Sequence, residues 1–234
     1  TYNRAYGEIQ RPPNNLFDYL LIEQIADAYE ALDEVSECRI IILSSQGKNF
    51  CAGANFGQDE DMLDKSPPYS KLYAQAVRLL KTKKPVIAVI QGAAIGGGLG
   101  LALSADFRIA CPEARFGANF AKLGFHPGFG SSITLPNVIG KQKAMDMLFS
   151  ARRVAGEEAY DIGLADRLTS KENLMTEAET LAETITRSEP RAVEAIRSTL
   201  RGDVAEAGEK MGEWEIGGQV RLQKREEIKK GRGA

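Results

Sequence analysis

Histidine is almost missing from this chain of 234 residues; His126 is the only one. A single imidazole argues against a zinc centre, which needs several nitrogen or sulfur ligands. Cysteine is nearly as scarce. Cys38, Cys51 and Cys111 are an odd number without metal or redox spacing, so they read as reduced thiols in a cytoplasmic protein. Charge of one sign is lacking too. The formal net charge is −2, which points to neither nucleic acid nor an anionic membrane as partner. No apolar run approaches the ~20 residues of a membrane span. The first residues, which do not begin with Met, show no signal-peptide pattern. What remains is ordinary for a globular protein, with 43% hydrophobic and 26% charged residues. The length suits one large domain, or a domain with a small appendage, and can bury a sizeable core.

Hydrophobic spacing predicts a helix over 16–35, with Leu16, Leu20, Ile25, Ala28 and Leu32 apolar, and a second over Tyr69–Lys81 around Leu72, Ala76, Leu79 and Leu80. Short apolar runs at 39–45, 85–92 and 107–111 read as buried strands. Ser131–Phe149 reads as a helical region interrupted by Pro136 and Gly140, and Glu157–Ile162 as a short helix. Strands alternating with helices indicate an α/β layer structure. From about Lys171 the chain turns helical and more charged. One helix begins at Pro190 and runs to about Leu200, and a last one covers 219–230. This divides the chain into an α/β core at 1–170 and a helical region at 171–234, read as a cap or oligomerisation arm.

Two glycine-bearing segments follow apolar strands: "FCAGAN" (50–55) and "GGGLG" (96–100). Neither has the spacing of a Walker A loop or of a dinucleotide fingerprint. Glycines at a helix N-terminus leave backbone N–H groups exposed at the positive end of the helix dipole. Two such groups from separate loops can converge on one oxygen and form an oxyanion hole. The same glycines could instead permit close packing of helix on strand; spacing alone leaves both open.

Four segments taken together, "GKNFCAGAN", "GAAIGGGLGLALSADFRIA", "ARFGANFAKLGFHPGFGSS" and "ARRVAGEEAYDIGLADRL", resemble the crotonase superfamily of enoyl-CoA hydratases and isomerases. The resemblance runs from about Ile9 to Leu168 and is weaker beyond. It implies an α/β spiral of repeated ββα units with a helical C-terminal region, assembled as a homotrimer or a dimer of trimers. It implies an acyl-CoA thioester as substrate, with CoA part of that substrate and no separate cofactor or metal. By motif position the two oxyanion donors fall on the N–H groups of Ala54 and Gly97. CoA contacts fall around Ala52, Ala54 and the segment Asn55, Phe56 and Gly57.

The sequence departs from the family where proton transfer is done. The two glutamates that handle water in family hydratases correspond to Gly100 and Phe120, and an aspartate used by some isomerases corresponds to Gly128. None of these can take a proton at neutral pH. Phe120 becomes a candidate substrate contact instead. His126 is the candidate replacement base, since imidazole titrates near neutrality. Its other reading is a loop histidine bonded to backbone. Asp59, Glu60 and Asp61 read as a solvated charge run, Lys122 as a surface lysine and Asp106 as structural. Cys51, Tyr69 and Tyr73 read as packing residues. The reactions that remain open are hydration or isomerisation with an unusual or absent base, decarboxylation of a malonyl-type thioester or cleavage of a β-diketone, and acyl-CoA binding without turnover.

Overall fold

The computed structural model describes residues 3–55 and 68–231. Five parallel strands make the main sheet: β1 (Arg4–Ile9), β2 (Ile40–Ser45), β3 (Val86–Ile90), β5 (Phe107–Ala110) and β8 (Arg167–Leu168), in that spatial order. β3 is buried along its whole length, as are the first four residues of β2. This is why both read as unbroken apolar runs rather than alternating ones. A smaller sheet holds β4 (Ala93–Ile95), β6 (Arg115–Gly117) and β7 (Arg153–Ala155). β4 runs parallel to β6, and β7 runs antiparallel to it.

The two sheets are wound together. β3 lies in the first, β4 in the second, and helix α3 (Gly97–Ser104) follows; β5 and β6 repeat the pattern before α4 (Ser131–Ile139). Two isolated parallel bridges, Cys51 with Ala94 and Phe17 with Ala54, continue the second layer into the preceding turns. Each turn of chain therefore adds one strand to the main sheet, one short extended stretch to the second layer and one helix outside. This is the ββα spiral expected above. Strands of two or three residues carry no readable periodicity, so β4, β6, β7 and β8 escaped the sequence reading.

Helix α1 spans Tyr19–Asp33, shorter than expected at its start. Phe17 is taken by its bridge to Ala54, and the Asp18 carboxylate accepts from the Leu21 N–H as N-cap. That start sets the helix rotation, and the buried face is Leu21, Ile22, Ile25, Ala26 and Tyr29, leaving Leu20 exposed. Helix α2 (Pro68–Lys81) buries Leu72, Ala76, Leu79 and Leu80 as its spacing predicts. The region 131–150 divides at Gly140, whose φ is +79°, into α4 and α5 (Lys141–Ser150); Pro136 is accommodated inside α4. Helix α6 spans Gly156–Asp161 and α7 spans Leu174–Thr186.

The two helices expected after Pro190 are one, α8, running from Pro190 to Gly231. Two of its glycines are points of close approach. A Cβ at Gly208 would lie 3.1 Å from Leu80 Cδ1, and one at Gly218 would lie 2.7 Å from the His126 ring. α8 packs on α2 and α4, while α7 packs on β2, β3 and β5. No helix among the described residues is long and apolar enough to cross a membrane.

Glu215 of α8 is fully buried and caps α4. The N-cap of α4 is Gly130, at φ +68°, which has no side chain to do this. Instead the Glu215 carboxylate accepts from the Gly130 N–H at 3.0 Å, from the Ser132 N–H at 3.2 Å and from the Ser132 hydroxyl. Burial pushes its pKa up from the ordinary 4.5, against the lowering effect of these bonds. Between 4.5 and the raised value the folded chain holds more protons than the unfolded one, so this group's contribution to stability falls as pH rises through that window. Glu215→Gln is expected to remove that slope in urea melts collected across pH. Glu215→Leu, which strands two buried N–H groups, is expected to cost about 1–3 kcal/mol for each.

Candidate active site

The turn 51–55 and the start of α3 are locked together by backbone. The Cys51 N–H donates to Ala93 O at 2.9 Å and the Ile95 N–H to Cys51 O at 3.1 Å. The Phe17 N–H donates to Gly53 O, and the Asn55 N–H returns to Phe17 O. The Gly96 N–H donates to Gly117 O at 2.8 Å, tying the helix start to β6. The three consecutive glycines then have three separate reasons. Gly96 sits at φ +58°, ψ −121°, outside the range of an L side chain. A Cβ at Gly98 would stand 2.0 Å from the Cys51 carbonyl oxygen, and one at Gly97 would stand 2.3 Å from the ring of Phe17. Close packing thus accounts for Gly98 in full. It does not account for the amide of Gly97. Among the described residues, neither the Gly97 nor the Ala54 N–H has a hydrogen-bond partner, and both residues face one cavity.

That cavity has a volume of about 260 Å³. Its floor is the 52–54 turn with Gly96 and Gly97, and its walls are mostly aromatic and aliphatic: Phe17, Leu72, Phe120, Leu123, Phe125 and Phe129. Tyr73 and Asn119 are the polar side chains among the described lining, which holds no carboxylate, imidazole, amine or guanidinium. Phe120 is a buried wall residue. Gly100 is covered: a Cβ there would meet Phe129 Cβ at 2.6 Å. Phe129 is held at φ +59°, a left-handed conformation that costs a non-glycine residue about 1–3 kcal/mol. Its ring also packs edge-on to Phe17, with centroids 5.5 Å apart. The space above Gly100 is filled by a strained phenylalanine.

The structure does not bring His126 to the cavity. Its neighbours Phe125 and Gly128 line it, but the imidazole packs on Gly218 of α8, with Nδ1 2.9 Å from Pro127 O. The imidazole, the candidate base of the sequence reading, is thus not among the described residues lining this cavity. Ala52 lines the cavity, its N–H given to Asn14 O. Asn55 closes the turn and is not in the cavity wall. Phe56 and Gly57, with Asp59, Glu60 and Asp61, lie outside the described residues. Lys122 is exposed and off the cavity. Burial pushes the Cys51 thiol up to about 12, so it stays a packing thiol. Tyr73, read as packing, is buried and also contributes to the cavity wall. Sequence reasoning missed Phe17 and Phe129. Phe17 reads as an apolar residue of the first helix, and only its bridge to Ala54 turns it inward. The single signal for Phe129 is its place between two glycines in "PGFG".

The enoyl-CoA hydratase/isomerase family model matches residues 5–234. YngF of Bacillus subtilis is 40% identical over 179 residues, 73% of this chain and 68% of its own length. A crotonyl-CoA hydratase of Syntrophomonas wolfei is 35% identical over 163 residues, 68% of this chain and 62% of that protein. Among solved structures, an enoyl-CoA hydratase from Bacillus halodurans superposes with a TM-score of 0.87 at 28% identity, covering 98% of this chain and 95% of that one.

Gly98→Ala drives a methyl into backbone that cannot yield and is expected to abolish or severely weaken folding. Gly97→Ala meets only a side chain. It is expected to cost about 1–3 kcal/mol as an overpacked site, most of it recovered when Phe17→Leu is added. Thermal melts of the three variants check both expectations.

Proposed function

The chain belongs to the enoyl-CoA hydratase/isomerase family, the crotonase superfamily, and on that premise we propose that the 260 Å³ cavity takes the acyl end of an acyl-CoA thioester. The N–H groups of Ala54 and Gly97 hold the thioester oxygen as it gains charge. The observation that carries this reading is that Ala54 and Gly97, on two separate turns, line one apolar cavity with amides that have no partner among the described residues. In such surroundings a donor aimed at a developing oxyanion acts far more strongly than in water. Phe120 and its aromatic neighbours would pack the acyl chain. Ala52, and by resemblance Asn55, Phe56 and Gly57, would contact CoA. CoA enters as part of the substrate, with no separate cofactor, and the family's trimer or pair of trimers is the expected assembly.

Stabilising the enolate is the part of family chemistry that these residues can perform. Hydration needs in addition a group to take a proton from water and one to deliver a proton to carbon. The described cavity wall offers only the Tyr73 hydroxyl and the Asn119 amide. That favours a second, narrower reading: decarboxylation of a malonyl-type thioester. The bond from Cα to the departing carboxylate breaks, carbon dioxide leaves, and its electron pair moves into the enolate held by the two amides. Cα then takes a proton from water. No protein carboxylate is required at any step.

Side-by-side assays separate these readings. Turnover of malonyl-CoA or methylmalonyl-CoA with release of carbon dioxide, and little hydration of crotonyl-CoA, is the expected result. Efficient crotonyl-CoA hydration would sink the decarboxylase reading. Binding of acyl-CoA with no turnover of either would leave a binding protein. Gly97→Pro in a Phe17→Ala background removes one amide donor at a helix position that accepts proline. Relative to Phe17→Ala alone it is expected to lower turnover about 10²- to 10³-fold.

Restoring the family carboxylates is the converse test. Gly100→Glu alone collides with Phe129 and is expected to give an unstable protein. Phe129→Gly suits the φ of +59° and clears the space. The triple variant Gly100→Glu, Phe120→Glu, Phe129→Gly is expected to gain crotonyl-CoA hydration that the parent lacks, measured as loss of enoyl absorbance.

A further inference from the structure

Two asparagines near the candidate site tie backbone together. Asn15, fully buried, gives its amide to the carbonyl oxygens of Gln46 and Asn49 and takes the Arg11 N–H. Asn49 takes the Ala93 N–H and gives its own amide to Asn14. Asn119 is not used in this way. It stands between the end of β6 and the short turn at Ala121–Leu123. Asparagine ordinarily bonds the backbone of such a turn, yet no side chain caps this one. Among the described residues, the Asn119 side-chain amide has no hydrogen-bond partner. Its backbone is held all the same, since Asn119 O accepts from the Leu123 N–H at 3.3 Å.

Asn119 lines the acyl-CoA cavity. A Cβ on Gly96 would stand 3.0 Å from Asn119 Oδ1, so the amide lies against the start of α3, and the bare Gly96 leaves it room. Backbone bond lengths then place Oδ1 within about 7 Å of the Gly97 nitrogen. Two oxygens about 3 Å apart, each accepting a hydrogen bond of about 3 Å, span that gap between the two amides. Oxygens on the first and third carbons of one acyl group have such a separation. Tyr73, the other polar side chain of the described wall, already has a partner. The rest of that wall is apolar.

From the unpartnered amide, its place beside the Gly97 N–H and the apolar wall around both, we infer that Asn119 determines which acyl group is accepted. Its amide N–H donates to a carboxylate on the third carbon, the malonyl type, and so selects against plain acyl chains. The inference rests on the acyl-CoA reading of the cavity. An apolar site disfavours a carboxylate, whose desolvation is costly. One amide donor offsets part of that cost and fixes the direction of the group. A cation in its place would hold the charge where it is. With Asn119, one donor meets the charge before carbon dioxide leaves. Two donors, on Ala54 and Gly97, meet it afterwards, when the bonding pair has passed to the enolate oxygen. Stabilisation that grows along the reaction lowers the barrier; stabilisation of the bound carboxylate alone does not.

Malonyl-CoA and butyryl-CoA, which lacks the carboxylate, test this on wild type, Asn119→Leu and Asn119→Ala. The first variant keeps the volume and removes the donor, and the second removes most of the side chain. Calorimetry gives the dissociation constants; where carbon dioxide is released, KM for malonyl-CoA and the inhibition constant of butyryl-CoA replace them. Both variants are expected to weaken malonyl-CoA about 10- to 100-fold, the range for a hydrogen bond to a charged group, and to shift butyryl-CoA less than about threefold. Equal losses for both ligands, or no loss for malonyl-CoA, would overturn the inference. So would thermal melts showing that both variants are unfolded, which would make Asn119 structural. Wild type that binds butyryl-CoA but not malonyl-CoA would overturn it too and leave the acyl-CoA reading standing. Wild type that binds neither would sink that reading and the inference with it.

Discussion

The constraint on which the candidate site depends is the approach of the Cys51 carbonyl to the backbone of Gly98. The bond from the Ile95 N–H to Cys51 O and that from the Cys51 N–H to Ala93 O fix the 51–54 turn against the start of α3. Only a residue without a Cβ fits at 98, because the added atom would stand 2.0 Å from that oxygen. This contact brings the amides of Ala54 and Gly97, which come from different turns of the spiral, to one cavity. The packing of Gly98 is what places the backbone of Gly97 on the cavity wall.

Around those amides the described cavity wall is mostly aromatic. Phe120 stands in the wall, and Phe129 covers Gly100 in a backbone conformation that phenylalanine adopts at a cost. The cost is offset by the edge-on contact with Phe17 and by the burial of both rings. Strain that persists in a core is over-determined by its neighbours. Here the neighbours are Phe17, whose own position follows from its bridge to Ala54, and Gly100, which leaves the room.

The long helix α8 joins the two ends of this arrangement. Near its start, Arg197 and Arg201 reach Asp106 and the last carbonyls of α3. Further along, Gly218 packs on His126, and Glu215 caps α4 just beyond Phe129. A helix that reads as solvated, from its charge, thus carries buried ionic groups at both contacts. Its residues at 208 and 218 are glycine because α2 and the 125–130 loop come that close.

Much of the fold was legible locally. The buried strands β2, β3 and β5 and the helix α2 announce themselves by apolar runs and by 3.6-residue spacing, which depend on neighbours a few residues apart. The limits of α1, the continuity of α8 and the two-residue and three-residue strands did not, because a bridge to Phe17, a partner helix facing a glycine and a ladder to a distant strand decide them. At the candidate site, "CAGAN" and "GGGLG" showed where backbone approaches backbone, since a Cβ at Gly98 would meet the Cys51 carbonyl oxygen. The sequence by itself determined the alternation of the longer buried strands with helices, the two glycine-bearing turns and the absence of carboxylates at 100 and 120. Tertiary structure alone decided that His126 faces α8, that Phe129 fills the space above Gly100, and that Arg197 and Arg201 share a single carboxylate. Each of these is a contact between residues far apart in the chain, where side-chain direction is set by packing.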